Sequence, residues 1–147
     1  MSENIFNVRV YGICIHEKNV LVSDEIRYGT MITKFPGGGL QFGEGTVECL
    51  KRECLEEFGQ QVEVNEHFYT TDFFQPSAFN SKQQVISIYY FISVPEPEKI
   101  SVTKNRFDFS EVKEEAQTFR WVALQDLSED DFTFPIEKRV ANLLKEK

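Results

Sequence analysis

Glu48, Arg52, Glu53, Glu56 and Glu57 follow closely on a turn made of Pro36 and three glycines, Gly37, Gly38 and Gly39. On a helix, at about 100° per residue, Glu53, Glu56 and Glu57 fall within an arc of roughly 100°. Like charges three and four residues apart destabilise a bare helix by roughly 0.2–0.5 kcal/mol per pair, so this spacing calls for a counter-charge. Two are available: Arg52, one turn from both Glu48 and Glu56, or divalent cations held by the carboxylates. Carboxylate donors suit Mg²⁺, with Mn²⁺ as the substitute. Taken alone, an acidic helix face is a solvated surface. Its fixed distance from the glycine turn makes it a candidate site.

Gly38 stands six residues before Glu44, Glu44 eight before Arg52, and Glu53, Glu56, Glu57 and Gly59 complete the frame. With each residue type used at roughly 6%, seven such positions coincide by chance about once in 10⁸ windows, so the frame is specific. The segment from Gly38 to Gln60, GGLQFGEGTVECLKRECLEEFGQ, resembles the Nudix box of the Nudix hydrolase family (MutT-like). It departs from that pattern at Cys54 and Gln60, where the family carries aliphatic residues, and at Gln41, where many relatives carry Glu. The glycine turn fails other phosphate motifs: no Lys-Ser/Thr pair follows it, and Phe42 takes the last glycine place of a Gly-x-Gly-x-x-Gly frame.

The resemblance implies an α+β Nudix fold, a mixed β-sheet sandwiched between α-helices, over residues 1–147 as one domain. It implies a divalent-metal-dependent pyrophosphohydrolase acting on a nucleoside diphosphate linked to another moiety. Its metal ligands would be Glu53 and Glu57, then Glu56, with the Gly38 carbonyl completing the sphere. A glycine there makes physical sense, because a backbone oxygen reaches an ion only where no Cβ blocks the turn. Glu53, Glu56 and Arg52 are the catalytic candidates: Glu53 as general base, and Arg52 orienting Glu56 or Glu48 by charge-assisted hydrogen bonds. Relatives differ in taking the base from the box or from a later loop. Among Glu111, Glu114 and Glu115, Glu115 is the candidate for a further metal ligand, against a plain solvated charge run.

Pyrophosphate repels an attacking hydroxide, so a site for it must neutralise charge and place a water in line with phosphorus. Arg9, Arg27 and Lys34 are candidate phosphate contacts, and Phe35, with Tyr28, Phe73, Phe74 and Phe79, a candidate base-stacking surface.

The elements that must position these groups are legible in outline. Phe6 to Ile15 and Val20 to Val22 read as strands of a hairpin turning at His16 to Asn19. Ser23 to Thr33 is polar and contains Gly29, and the chain then reaches Pro36 and Gly37 to Gly39, which forbid a regular element there. Glu44 to Phe58 reads as a helix with Val47, Leu50, Cys54 and Phe58 on its apolar stripe and Gly59 as its stop. Val62 to Val64, Phe68 to Phe74, Val85 to Val94 and Thr118 to Val122 read as strands, the third buried on both faces. Pro95 to Asn105 reads as a surface loop, and a helix begins at Pro135 with Ile136, Val140, Leu143 and Leu144 inward.

The chain has 147 residues, 41% of them hydrophobic and 14 of them Phe, which suits one globular domain. A formal charge of −8 disfavours nucleic-acid polymers and anionic membranes, and directs attention to a small nucleotide-type substrate met by local positive charge. Cys14, Cys49 and Cys54 are odd in number and lack zinc spacing, so reduced buried thiols in a cytoplasmic protein are expected. A homodimer through strands or the Pro95 to Asn105 loop is compatible with the pattern. The alternative to an enzyme is a non-hydrolytic Nudix-like module sensing a nucleotide or nucleotide sugar, but such modules usually lose box glutamates.

Overall fold

The structure, a computed structural model, describes residues 3–147. Its first strands are β1 (Ile5–His16), β2 (Asn19–Arg27), β3 (Thr30–Lys34) and β4 (Gly37–Gly39). Helix α1 (Thr46–Phe58), strands β5 (Glu63–Thr70), β6 (Gln83–Ser93) and β7 (Gln117–Ala123), and helix α2 (Pro135–Lys145) follow. Within the described residues the strands run β3-β2-β1-β6-β5, with β4 on β1 and β7 on β2. The β1–β6 pair is parallel and the other pairs are antiparallel, so the sheet is mixed.

Strand alternation splits the core into two. Val10, Cys14 and Leu21 point to one face, where Cys49, Leu50 and Cys54 of α1 cover them. Tyr11, Ile13, Val20 and Val22 point to the other, where Ile136, Val140, Ala141 and Leu144 of α2 pack with Phe35, Tyr89 and Phe132. A one-residue slip of β1 would exchange the two sets, which fixes its register strongly. This is an α+β sandwich, one helix on each face of the sheet. Among the described residues no helix is long and apolar enough to cross a membrane.

Three sequence expectations change. The second strand does not end at Val22: β2 continues through the polar run to Arg27 and β3 returns from Thr30. Its polar side chains are buried and paired. Asp24 accepts from Arg120 Nε at 2.7 Å and from Thr33 Oγ1 at 2.8 Å, and Glu25 accepts from Ser23 Oγ at 2.7 Å. Hydrophobic patterning cannot reveal a strand whose buried positions are charged. Second, the three glycines do form a strand, pairing Gly37, Gly38 and Gly39 with Tyr11, Val10 and Arg9. A Cβ on Gly37 would lie 2.1 Å from the Val10 carbonyl oxygen, so only glycine lets the two backbones pair there. Third, α1 buries Cys49 with Leu50 and Cys54, while Val47 is exposed.

Candidate active site

The box threads from β4 into α1, and local hydrogen bonds set where the helix starts and stops. Glu44 accepts from the Gln41 amide at 2.9 Å, Glu48 from the Gly45 amide at 2.9 Å, and the left-handed Gly59 returns its amide to the Leu55 carbonyl at 3.0 Å. Glu48 is thereby occupied as a cap and does not meet Arg52. This corrects one of the two partners expected for that arginine.

Arg52 instead ties the helix to the turn before it. Its guanidinium donates to Glu44 at 2.7 Å, Glu53 at 3.0 Å, Glu56 at 3.3 Å and the Gly39 carbonyl at 3.1 Å. These charge-assisted bonds hold the Glu44 carboxyl down at about 2 and raise the arginine itself. Arg52 therefore fixes the box's shape.

Glu53 and Glu57 face β4. A Cβ on Gly38 would come within 2.5–2.7 Å of the Glu53 carboxyl atoms, so the glycine leaves the space that this carboxylate occupies. Glu57 accepts from the Gly37 amide at 3.0 Å and from Gln117 Nε2 at 2.6 Å. Burial pushes its carboxyl up, to about 7, against the pull of Lys34 and Gln117. Glu56 is exposed, one turn along from Arg52.

These groups line one cavity of about 810 Å³, within the range of small-molecule sites. Gly37 to Gly39, Glu53, Glu56 and Glu57 share its wall with Arg9, Arg27, Lys34 and Glu115. The cations are held. Fully buried Glu25 pairs with Arg27 at 2.9 Å and with Lys34 Nζ at 3.4 Å, while Arg9 donates to the Tyr11 hydroxyl. Burial pulls the Lys34 ammonium down, but Tyr11 and Glu25 outweigh it and its affinity for a proton rises. Glu115 is exposed and pairs with Arg27 at 3.6 Å, at the rim of the cavity.

Phe35 is corrected. It is fully buried, stacked on Phe132 at 4.7 Å and edge-on to Tyr89, and lines no part of the cavity. Following a buried strand, it serves the α2 face of the core. Phe73 and Phe74 are exposed outside the cavity, whereas Tyr28 and Phe79 lie on its wall with ring centroids 4.7 Å apart.

Two wall residues escape a sequence reading. Gln117 bridges Glu57 to Ser23 and Glu25, and nothing in a strand's pattern marks it. Glu137 did carry a signal: it sits three, four and seven residues before Val140, Ala141 and Leu144, an acidic residue in an apolar stripe.

The donors near β4 suit a hard divalent cation. Two carboxylates on one helix face and the backbone of a glycine strand offer oxygen only, leaving places for water and phosphate oxygens. Among the described residues no three carboxylates, histidines or cysteines form a ready-made cage, so waters and a ligand must complete the sphere.

The NUDIX domain family matches residues 6–143. No curated protein matches the sequence. Among solved structures, a NUDIX hydrolase from Nitrosomonas europaea superposes with a TM-score of 0.68 at 17% identity, covering 93% of this chain and 86% of the other. A MutT protein from Methanosarcina mazei Go1 gives 0.66 at 18%, covering 99% and 95%. The E. coli ORF135 protein gives 0.61 at 17%, covering 95% and 86%. At such identities the structural likeness speaks for the fold.

Proposed function

The chain belongs to the Nudix family of phosphoanhydride hydrolases, and on that premise we propose that it is a divalent-metal-dependent pyrophosphohydrolase. Its substrate is a nucleoside diphosphate linked to another moiety: a nucleoside triphosphate, a nucleotide sugar or a dinucleotide. The observation that carries this reading is the pair Glu53 and Glu57 set against Gly37 and Gly38, in a cavity that also presents Lys34, Arg9 and Arg27.

Glu53 and Glu57, with the Gly38 carbonyl and Glu56 in support, would hold Mg²⁺ or Mn²⁺, which would neutralise phosphate charge and make a nearby water more acidic. The chain's own residues do the rest. Lys34 and Arg9 bind the phosphates, and Arg27 joins them once a phosphate competes with Glu115. Glu53 accepts the proton of the attacking water. That water's oxygen forms the new bond to phosphorus as the bridging P–O bond breaks, and the leaving phosphate takes the electron pair. Arg52 keeps Glu53 and Glu56 oriented throughout, and Gln117 keeps Glu57 turned toward β4. Intact Glu53, Glu56 and Glu57 argue against a module that only senses its ligand. A cytoplasmic setting suits the three free thiols, all buried.

The test is a phosphate-release screen with Mg²⁺ across nucleoside triphosphates, nucleotide sugars and dinucleotides. Wild type should cleave at least one class, and Glu57→Gln should lose on the order of 10²-fold or more in kcat/KM. Absence of any metal-dependent cleavage by wild type would sink the reading.

A further inference from the structure

Ser23, Glu25 and Arg27 alternate along β2 and so face one side of the sheet, where strand pairing sets Glu25 opposite Gln117 of β7 and Ser23 opposite Lys34 of β3. Glu25 is completely buried. Its carboxylate accepts from Ser23 Oγ at 2.7 Å, Arg27 Nε at 2.9 Å and Gln117 Nε2 at 3.2 Å, and pairs with Lys34 Nζ at 3.4 Å. Two of these partners reach on into the site. Gln117 Nε2 also donates to Glu57 Oε1 at 2.6 Å, and Lys34 Nζ to the Gly37 carbonyl at 3.4 Å, while the Gly37 amide donates to Glu57 Oε2 at 3.0 Å. The contacts close a ring that runs from Glu25 through Lys34, Gly37, Glu57 and Gln117 back to Glu25. Lys34, Gly37, Glu57 and Gln117 all line the cavity, and Glu25 alone in the ring does not.

A buried ion pair adds little stability over apolar residues of the same volume, so folding alone does not call for this ring. We propose that Glu25 is a positioning residue with opposed effects on the two halves of the site: it holds Lys34 and Arg27 back until phosphate arrives, and through Gln117 it holds Glu57 where a divalent cation needs it. This rests on the reading of Glu57 as a metal ligand and of Lys34 and Arg27 as phosphate contacts. Without the charge on Glu25 the two cations are free to turn to an anion in the cavity. Lys34, which already shares Gly37 with Glu57, is also free to compete with a metal for that carboxylate, and Gln117 loses an acceptor that fixes its amide. Glu25 thereby tunes the site toward phosphate that arrives with a cation and against the bare anion.

Calorimetric titration of wild type and Glu25→Gln with Mn²⁺ alone, and separately with methylenediphosphonate alone, tests it, since the carbon bridge of that diphosphate analogue is not hydrolysed. Glu25→Gln should bind Mn²⁺ about tenfold or more weakly, as expected when support for a metal ligand is lost, and methylenediphosphonate roughly threefold or more tightly. Purely structural damage would weaken both. Gln117→Met leaves Glu25 paired with its cations, so it should weaken Mn²⁺ to a similar degree without the gain for the anion, and it decides the matter if Glu25→Gln does not fold. Affinities that fall together in Glu25→Gln, an anion affinity that does not rise there, or Mn²⁺ binding unchanged in either variant would each overturn the assignment. Wild type that binds no Mn²⁺ would overturn the metal site itself, whereas Mn²⁺ binding indifferent to both substitutions would overturn the role of Glu25 alone.

Discussion

Gly38 matters because of what it lacks. A methyl group there would meet the Glu53 carboxyl at 2.5 Å, while the backbone itself is in an ordinary conformation. Gly38→Ala should therefore displace Glu53 and lower kcat/KM by on the order of 10²-fold with little change in melting temperature. Gly37→Ala should lower the melting temperature as well, because its φ of +141° and the Val10 carbonyl at 2.1 Å both oppose a side chain. Activity and thermal melting of the two variants separate the effects. Glu137 makes a pH prediction. Its folded value, about 7, lies above the unfolded 4.5, so the folded chain holds the proton longer. Stability should fall as pH rises through that window, by on the order of 2–3 kcal/mol attributable to this group, and level off above it. Urea unfolding of wild type and Glu137→Gln between pH 4.5 and 8 checks this, and a difference between them that is constant with pH would refute it. At this scale the sequence showed Glu53, Glu57, Gly38 and Arg52 by their spacing. Phe35 misled because an aromatic looks alike whether it faces a ligand or, as here, stacks on Phe132.

Elements carry a second kind of information. Strands β1 and β6 and helix α2 were readable because alternating or stripe-like apolar residues face one core or the other. Strand β2 was cut short because its second half buries Ser23, Asp24 and Glu25, and only the tertiary partners Arg120, Thr33 and Lys34 explain that. Strand β4 was missed because pairing, not propensity, makes three glycines a strand. Asp24 anchors this arrangement, with bonds from Arg120, Thr33 and the Phe107 amide. Asp24→Leu should destabilise by about 3–5 kcal/mol by leaving Arg120 buried and unpaired, and adding Arg120→Met should recover much of the loss. Denaturant midpoints of the two variants give the coupling, and simple additivity would contradict the account.

For the molecule as a whole, the net charge of −8 opposes an anionic substrate, while the cavity sets Arg9, Arg27 and Lys34 among its glutamates, and a divalent cation bound there would add to that local positive charge. Mn²⁺ at about 100 times its dissociation constant should stabilise the folded chain by about 2.7 kcal/mol, which for this size is a rise of roughly 5–10 °C in melting temperature. Glu57→Gln should show little of that rise and EDTA should abolish it, as differential scanning fluorimetry would record. The cavity wall has two origins in the chain. Glycines and glutamates at positions 37–57 arrive as one continuous stretch, whereas Tyr28, Phe79, Phe134 and Glu137 come from a hairpin turn, a loop and a second helix. Mutational drift can therefore rewrite one set while the other stands still. A lineage built on this plan can acquire a new diet without relearning how to cut.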